Sequence, residues 1–215
     1  MQGKEVEFVR WFSELSNKDV AIAGGKGASL AEMYNIKMPI PPGFIITAQS
    51  YNYFLKKTGL DLKIKSILSK LDVNDTASLN QTSERVRKLI EETEMPADLE
   101  ESIREAYEIL SVDKEKLAST NSALALLKES GNEPFVAVRS SATTEDLADA
   151  SFAGQQESFL NVRGAKELIE KTRACMASLF TSRAIYYREK KGFDHSKSYL
   201  AVVVQKMVDS EKSGV

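Results

Sequence analysis

The sequence predicts an α+β fold in which a small sheet is covered by helices, and two observations carry that prediction. Apolar stripes of helical period outnumber runs of strand character over the 215 residues. The strand-like runs, Phe44 to Ile46, Phe135 to Val138, Ser158 to Val162 and Tyr199 to Val208, are not separated in regular βα alternation, which argues against a doubly wound parallel sheet. There is no internal repeat, low-complexity tract or linker, and the length suits one sizeable domain or two small ones.

In chain order, a loop and a short helix come first, followed by a turn at Pro41-Pro42-Gly43 and a short strand through Phe44, Ile45 and Ile46. Thr47 is placed to cap a helix bearing Tyr51, Phe54 and Leu55. From Leu60 to Ser130 the pattern is helical. One stripe runs through Leu62, Ile64, Ile67, Leu68 and Leu71, and a second, starting near Asp75, through Leu79, Val86, Leu89 and Ile90. Pro96 starts a third with Leu99, Ile103, Tyr107 and Leu110, and a fourth surrounds Leu117, Leu124 and Leu127. These stripes read as core.

Beyond Asn161 an amphipathic helix reaches about Phe180, and a second carries Ile185, Tyr186 and Tyr187 and stops at Gly192. Arg183, Arg188, Lys190 and Lys191 near its end read as a solvated helix C-terminus, favourably placed against the helix dipole. His195, the one histidine, reads as a solvent-exposed loop residue. The final run from Tyr199 is continuously apolar, as a strand buried on both faces requires.

Composition excludes several functions. A formal charge of −2 lacks the basic surplus of a nucleic-acid footprint. No apolar stretch approaches a membrane span, and Lys4, Glu5, Glu7 and Arg10 stand where a signal peptide would have its apolar core. A single cysteine, Cys175, excludes an intramolecular disulfide and fits a reducing cytoplasm. Its helical neighbours Leu168, Thr172, Met176, Leu179 and Phe180 mark it as a packed thiol, not a nucleophile.

Two segments carry chemistry. In Ala23-Gly-Gly-Lys-Gly-Ala-Ser-Leu-Ala-Glu-Met33, glycines allow close backbone approach to a ligand, Lys26 supplies a point charge, and a short helix follows. A flexible surface turn is the alternative. The segment is not a Walker A loop, because Gly27 follows the lysine where Ser or Thr is needed. In the second segment, Val138 to Asn161, a strand delivers Arg139 at its end. Ser140, Ser141, Thr143 and Thr144 follow, then Ser151-Phe152-Ala153-Gly154, and a second strand begins at Ser158. Such a loop can be an ordinary hydroxyl-rich turn or a flap whose amides and arginine close on an anion. Glu145, Asp146 and Asp149 read as helix-capping acids, not metal ligands.

GGKGASLAEM, Ile40-Pro-Pro-Gly-Phe-Ile-Ile-Thr47 and VRSSATTEDLADASFAGQQESFLN together resemble the N-terminal ATP-grasp half-domain of the phosphoenolpyruvate synthase and pyruvate phosphate dikinase family. The resemblance runs from about Phe12 to the last residue and implies an ATP-grasp N-terminal subdomain over residues 1–215. Its sheet would be small and mostly antiparallel, with a helix-rich insertion at 60–130. It places Lys26 and Arg139 on ATP phosphates, Gly154 and Ser158 over them, and Gln205, Lys206 and Met207 at the adenine edge.

The expected function is the ATP-binding part of a dikinase that converts ATP, pyruvate and water to AMP, phosphoenolpyruvate and phosphate. Missing from the chain are the second ATP-grasp half with its Mg²⁺ ligands, the phosphohistidine motif and the pyruvate-binding barrel. The chain alone is therefore expected to be inactive and to need the remaining domains as partners. A rifampicin-phosphotransferase-like enzyme, a pyruvate phosphate dikinase and a stand-alone binding module are the alternatives. An apolar seam along the terminal strand is expected to make the isolated chain self-associate.

Overall fold

The computed structural model describes residues 6–111, 133–143, 157–195 and 198–210. Five strands form one sheet: β1 (Val9–Trp11), β2 (Gly43–Ile46), β3 (Val136–Ala142), β4 (Ser158–Val162) and β5 (Leu200–Lys206). Their order is β1-β2-β5-β3-β4 and every neighbouring pair is antiparallel. The helices are α1 (Val20–Asn35), α2 (Ala48–Lys57), α3 (Leu60–Leu68), α4 (Thr76–Glu92), α5 (Ala97–Ser111), α6 (Ala165–Ala177) and α7 (Ser182–Lys191). The α+β expectation holds. The fourth apolar stripe lies outside the described residues.

Alternation along the central strand divides the core in two. Leu200, Val202 and Val204 join Phe44, Ile46, Val136 and Val138 against the layer formed by α2 to α6. Ala201 and Val203 join Ile45 on the opposite face, against Ala23, Ala28, Leu30 and Ala31 of α1. Burial on both faces explains why β5 is continuously apolar. Its position also corrects the expected apolar seam. β5 is hydrogen-bonded on one side to β2 and on the other to β3, so the terminal strand offers no free edge.

Local signals set the helix boundaries. Thr47 accepts the Ser50 amide at 3.2 Å, and Asp75 accepts those of Ala77 and Ser78 at 2.9 and 3.3 Å. α7 stops at Gly192, whose φ of 69° lets Phe193 N–H reach the Arg188 carbonyl at 2.9 Å. The Tyr107 hydroxyl ties α5 to two other elements, donating to Pro134 O at 2.7 Å and accepting Gly164 N–H at 2.9 Å.

The end of α7 corrects another expectation. Arg188 is 1% exposed. Its guanidinium donates to the Leu179 carbonyl at 2.5 Å and to His195 Nδ1 at 2.9 Å, and it lies over the Phe180 ring. His195 is correspondingly half-buried, not a free loop residue. Charge pattern alone could not reveal this, because the burying surface comes from α2 and the Ser178–Phe180 turn. Cys175 is the packed thiol expected, fully buried and free. Among the described residues, no helix is long and apolar enough to cross a membrane.

Candidate functional site

The two chemistry-bearing segments meet although 114 residues separate them. α1 is two helical pieces joined at Gly24, where the backbone takes φ 68° and ψ 170°. That conformation is almost confined to glycine. The kink brings the second piece, with Lys26 in its first turn, against β3. Lys26 Nζ donates to the Ser140 carbonyl at 3.0 Å, and Gly27 N–H donates to Ser141 Oγ at 3.0 Å.

Gly24 and Gly27 lie tight against the sheet. A Cβ on Gly24 would lie 2.3 Å from the Ser141 carbonyl oxygen, and one on Gly27 would lie 2.9 Å from the Ile45 side chain. All three glycines are buried. Gly24 and Gly27 permit close helix–sheet packing.

β3 also runs further than expected, to Ala142, so Arg139 sits within the strand and not at its end. Its ladder partners are Val203 on β5 and Ser158 on β4. Val203 packs on the α1 side, and paired residues share a face. Arg139 and Ser158 therefore present their side chains on the side where Lys26 stands. Arg139 is half-buried and its Nε, shielded from solvent, has no hydrogen-bond partner among the described residues. Ser158 is exposed. A lysine, an arginine and a hydroxyl thus lie on one face of the sheet around the middle of β3, a donor set suited to an anion with several oxygens.

β4 keeps its side chains in phase through a bulge. Val136 pairs with Val162 and Val138 with Phe159, so three steps on β4 match two on β3. Asn161 absorbs the extra residue at φ 58°.

On the same face as Arg139, Gln205 pairs with Ala137 and donates its side-chain amide to the Pro41 carbonyl at 3.2 Å. The backbone amides of Lys206 and Met207 donate to Pro42 O at 3.0 Å and Phe135 O at 2.8 Å. An adenine edge read here would need groups other than those two amides. Gly154, Glu145, Asp146 and Asp149 lie outside the described residues. Among the described residues no group of three or more His, Cys, Asp or Glu side chains is placed to hold a metal ion.

The other titratable clusters do not join this site. A cleft of about 650 Å³ is lined by Tyr51, Lys65 and His195 among others, and its aromatic walls Tyr51 and Phe180 belong to the opposite core. Burial brings the Arg188 pKa down to about 10. Burial first, and the Arg188 charge second, hold His195 below the usual imidazole range against the opposing pull of Glu189. Burial likewise pushes the Cys175 thiol well up, which leaves it unreactive.

Sequence reasoning missed Arg87 and Glu157, whose side chains meet at 2.9 Å beside the β3–β4 pairing. Seventy residues separate them, and neither belongs to a spacing pattern that could have announced the contact.

Residues 20–215 match the family described as pyruvate phosphate dikinase, AMP/ATP-binding domain. The chain is 53% identical over 214 residues to a probable phosphoenolpyruvate synthase of Methanocaldococcus jannaschii, covering 100% of this chain and 17% of the relative. It is 48% identical over 213 residues to a probable phosphoenolpyruvate synthase of Methanothermobacter thermautotrophicus, covering 99% of this chain and 29% of the relative. With the phosphoenolpyruvate synthase of Pyrococcus furiosus, identity is 44% over 240 residues, covering 97% and 28%. The chain therefore spans less than a third of the length of these relatives.

Proposed function

The chain belongs to the pyruvate phosphate dikinase AMP/ATP-binding domain family, and from that premise we propose that it is the ATP-binding portion of a phosphoenolpyruvate synthase. The reaction of the whole protein would convert ATP, pyruvate and water to AMP, phosphoenolpyruvate and phosphate. This portion would hold the triphosphate. The observation that carries the reading is the junction at β3, where Lys26 donates to the carbonyl of the residue that follows Arg139.

In this reading Lys26 acts as a point charge and Arg139 as a planar fork on phosphate oxygens. Ser158, opposite Arg139 in the ladder, donates its hydroxyl to the same group. By the resemblance, Gly154 would lie over the phosphates. Gln205, Lys206 and Met207 face the base, through side chains or carbonyl oxygens given that two amides are engaged. Phosphoryl transfer from ATP needs a divalent metal. Magnesium would take its ligands outside this chain.

The second ATP-grasp half, the phosphohistidine domain and the pyruvate-binding domain would be contributed by the rest of a longer protein. The names and lengths of the relatives support that division. A lone, buried, reduced thiol fits a cytoplasmic setting. The test is AMP release by the longer protein containing this chain. Pyruvate should be required, and Arg139→Ala should abolish turnover while leaving the thermal unfolding midpoint nearly unchanged. Near-native turnover in that variant would overturn the assignment.

A further inference from the structure

We propose that Arg87, on a helix across the sheet from the candidate phosphate groups, is a positioning residue for nucleotide binding that acts through Glu157. This rests on the reading of Lys26, Arg139 and Ser158 as the phosphate site. Arg87 projects from α4, in the layer opposite α1, and its Nη2 meets Glu157 Oε1 at 2.9 Å. Both side chains are about one-third exposed, at 34% and 30%. Glu91, one helical turn on, lies 3.9 Å from the same Nη2, so Glu157 is the closer partner.

Glu157 immediately precedes β4 and its backbone is held as firmly as its side chain. Its carbonyl accepts Ser140 N–H at 3.1 Å and Ser140 Oγ at 3.2 Å. Ser140 is fully buried. One residue therefore serves both sides: its amide and hydroxyl hold Glu157, while its carbonyl holds the Lys26 ammonium. Strand alternation does the rest. Glu157 reaches toward the helical layer, and Ser158 next to it points to the other face, opposite Arg139. Arg87, Glu157 and Ser140 thus form a continuous polar connection to Lys26 and set where Ser158 stands relative to Arg139. Among the described residues, Arg87 is the side chain of the helical layer that pairs with Glu157.

The experiment combines a double-mutant cycle with amide hydrogen exchange on the 215-residue chain, using Arg87→Met, Glu157→Gln and the pair. A half-exposed ion pair carries a modest effect, so each single variant should weaken Mg-ATP binding about threefold to fivefold. The double variant should be no weaker than either single one, because the two side chains act as a unit. The Ser140 amide should exchange faster in all three while the β2–β5 amides keep their protection, which separates positioning from loss of fold. The reversed pair, Arg87→Glu with Glu157→Arg, should recover most of the affinity. A wild-type chain that binds Mg-ATP, with variants that bind it equally well and exchange Ser140 equally slowly, would overturn the role of Arg87. Additive losses in the cycle would overturn it too. A wild-type chain that binds no nucleotide, although folded, would overturn the phosphate-site reading itself and this inference with it.

Discussion

At Gly24 the chain holds φ 68° and ψ 170°, and a methyl group there would collide with the Ser141 backbone. Both effects oppose any side chain. The strained conformation costs roughly 1–3 kcal/mol and overpacking a comparable amount. Gly24→Ala should therefore lower the unfolding free energy by about 3 kcal/mol, read from the urea midpoint, and a loss under about 0.5 kcal/mol, the size of an ordinary surface change, would show that the kink is not needed. At this scale the sequence marked single positions and said less about what surrounds them. Lys26 and Arg139 were legible from their motifs, and the structure brings both to β3. The glycines were legible as special positions, but their use in helix–sheet contact depends on Ile45 and Ser141, distant residues that no local pattern names. Arg188 was read wrongly for the same reason. Four basic residues at a helix end look solvated until Tyr51, Leu179 and Phe180 close over one of them.

At the C-terminal end of α7 one hydrogen bond depends on the protonation state of His195. His195 Nδ1 accepts from Arg188 Nε, so that nitrogen must be unprotonated in the folded state. Arg188, Glu189, Asp194 and the buried Tyr51 are the charged and titratable groups around the pair. The folded-state pKa of His195 is lowered from the ordinary 6.5, so the unfolded chain binds the proton more readily. The contribution to stability is complete above about pH 6.5 and is lost as pH falls toward the folded-state pKa. His195→Asn should flatten this part of the stability profile. The quantity to measure is the difference in urea midpoint between wild type and variant from pH 7.5 to pH 5, and a constant difference would refute the link. Element boundaries were largely readable from caps, as Thr47, Asp75 and Gly192 demonstrate. The extent of β3 was not, because Ser140 and Ser141 look like loop residues until β5 and α1 cover them.

Across the whole molecule, the last strand in sequence is the middle strand in space. β5 pairs with β2, more than 150 residues earlier, and supplies both core faces, so residues from the two ends of the chain build one sheet. That topology could not be inferred from patterning, since a continuous apolar run specifies burial and not neighbours. It is also what brings the Lys26 helix over the Arg139 strand, with β5 between β2 and β3. The helical layer on the other face reaches the start of β4 through the ion pair of Arg87 and Glu157. In the proposed reading, Lys26 and Arg139 form one anion site in the folded chain. Calorimetric titration of Mg-ATP into the 215-residue protein, alongside Lys26→Ala and Arg139→Ala, tests this most directly. The expected result is saturable binding by the wild type and a loss of at least tenfold in affinity in each variant, about 1.4 kcal/mol or more. Equal binding by wild type and both variants, all shown to be folded, would contradict it.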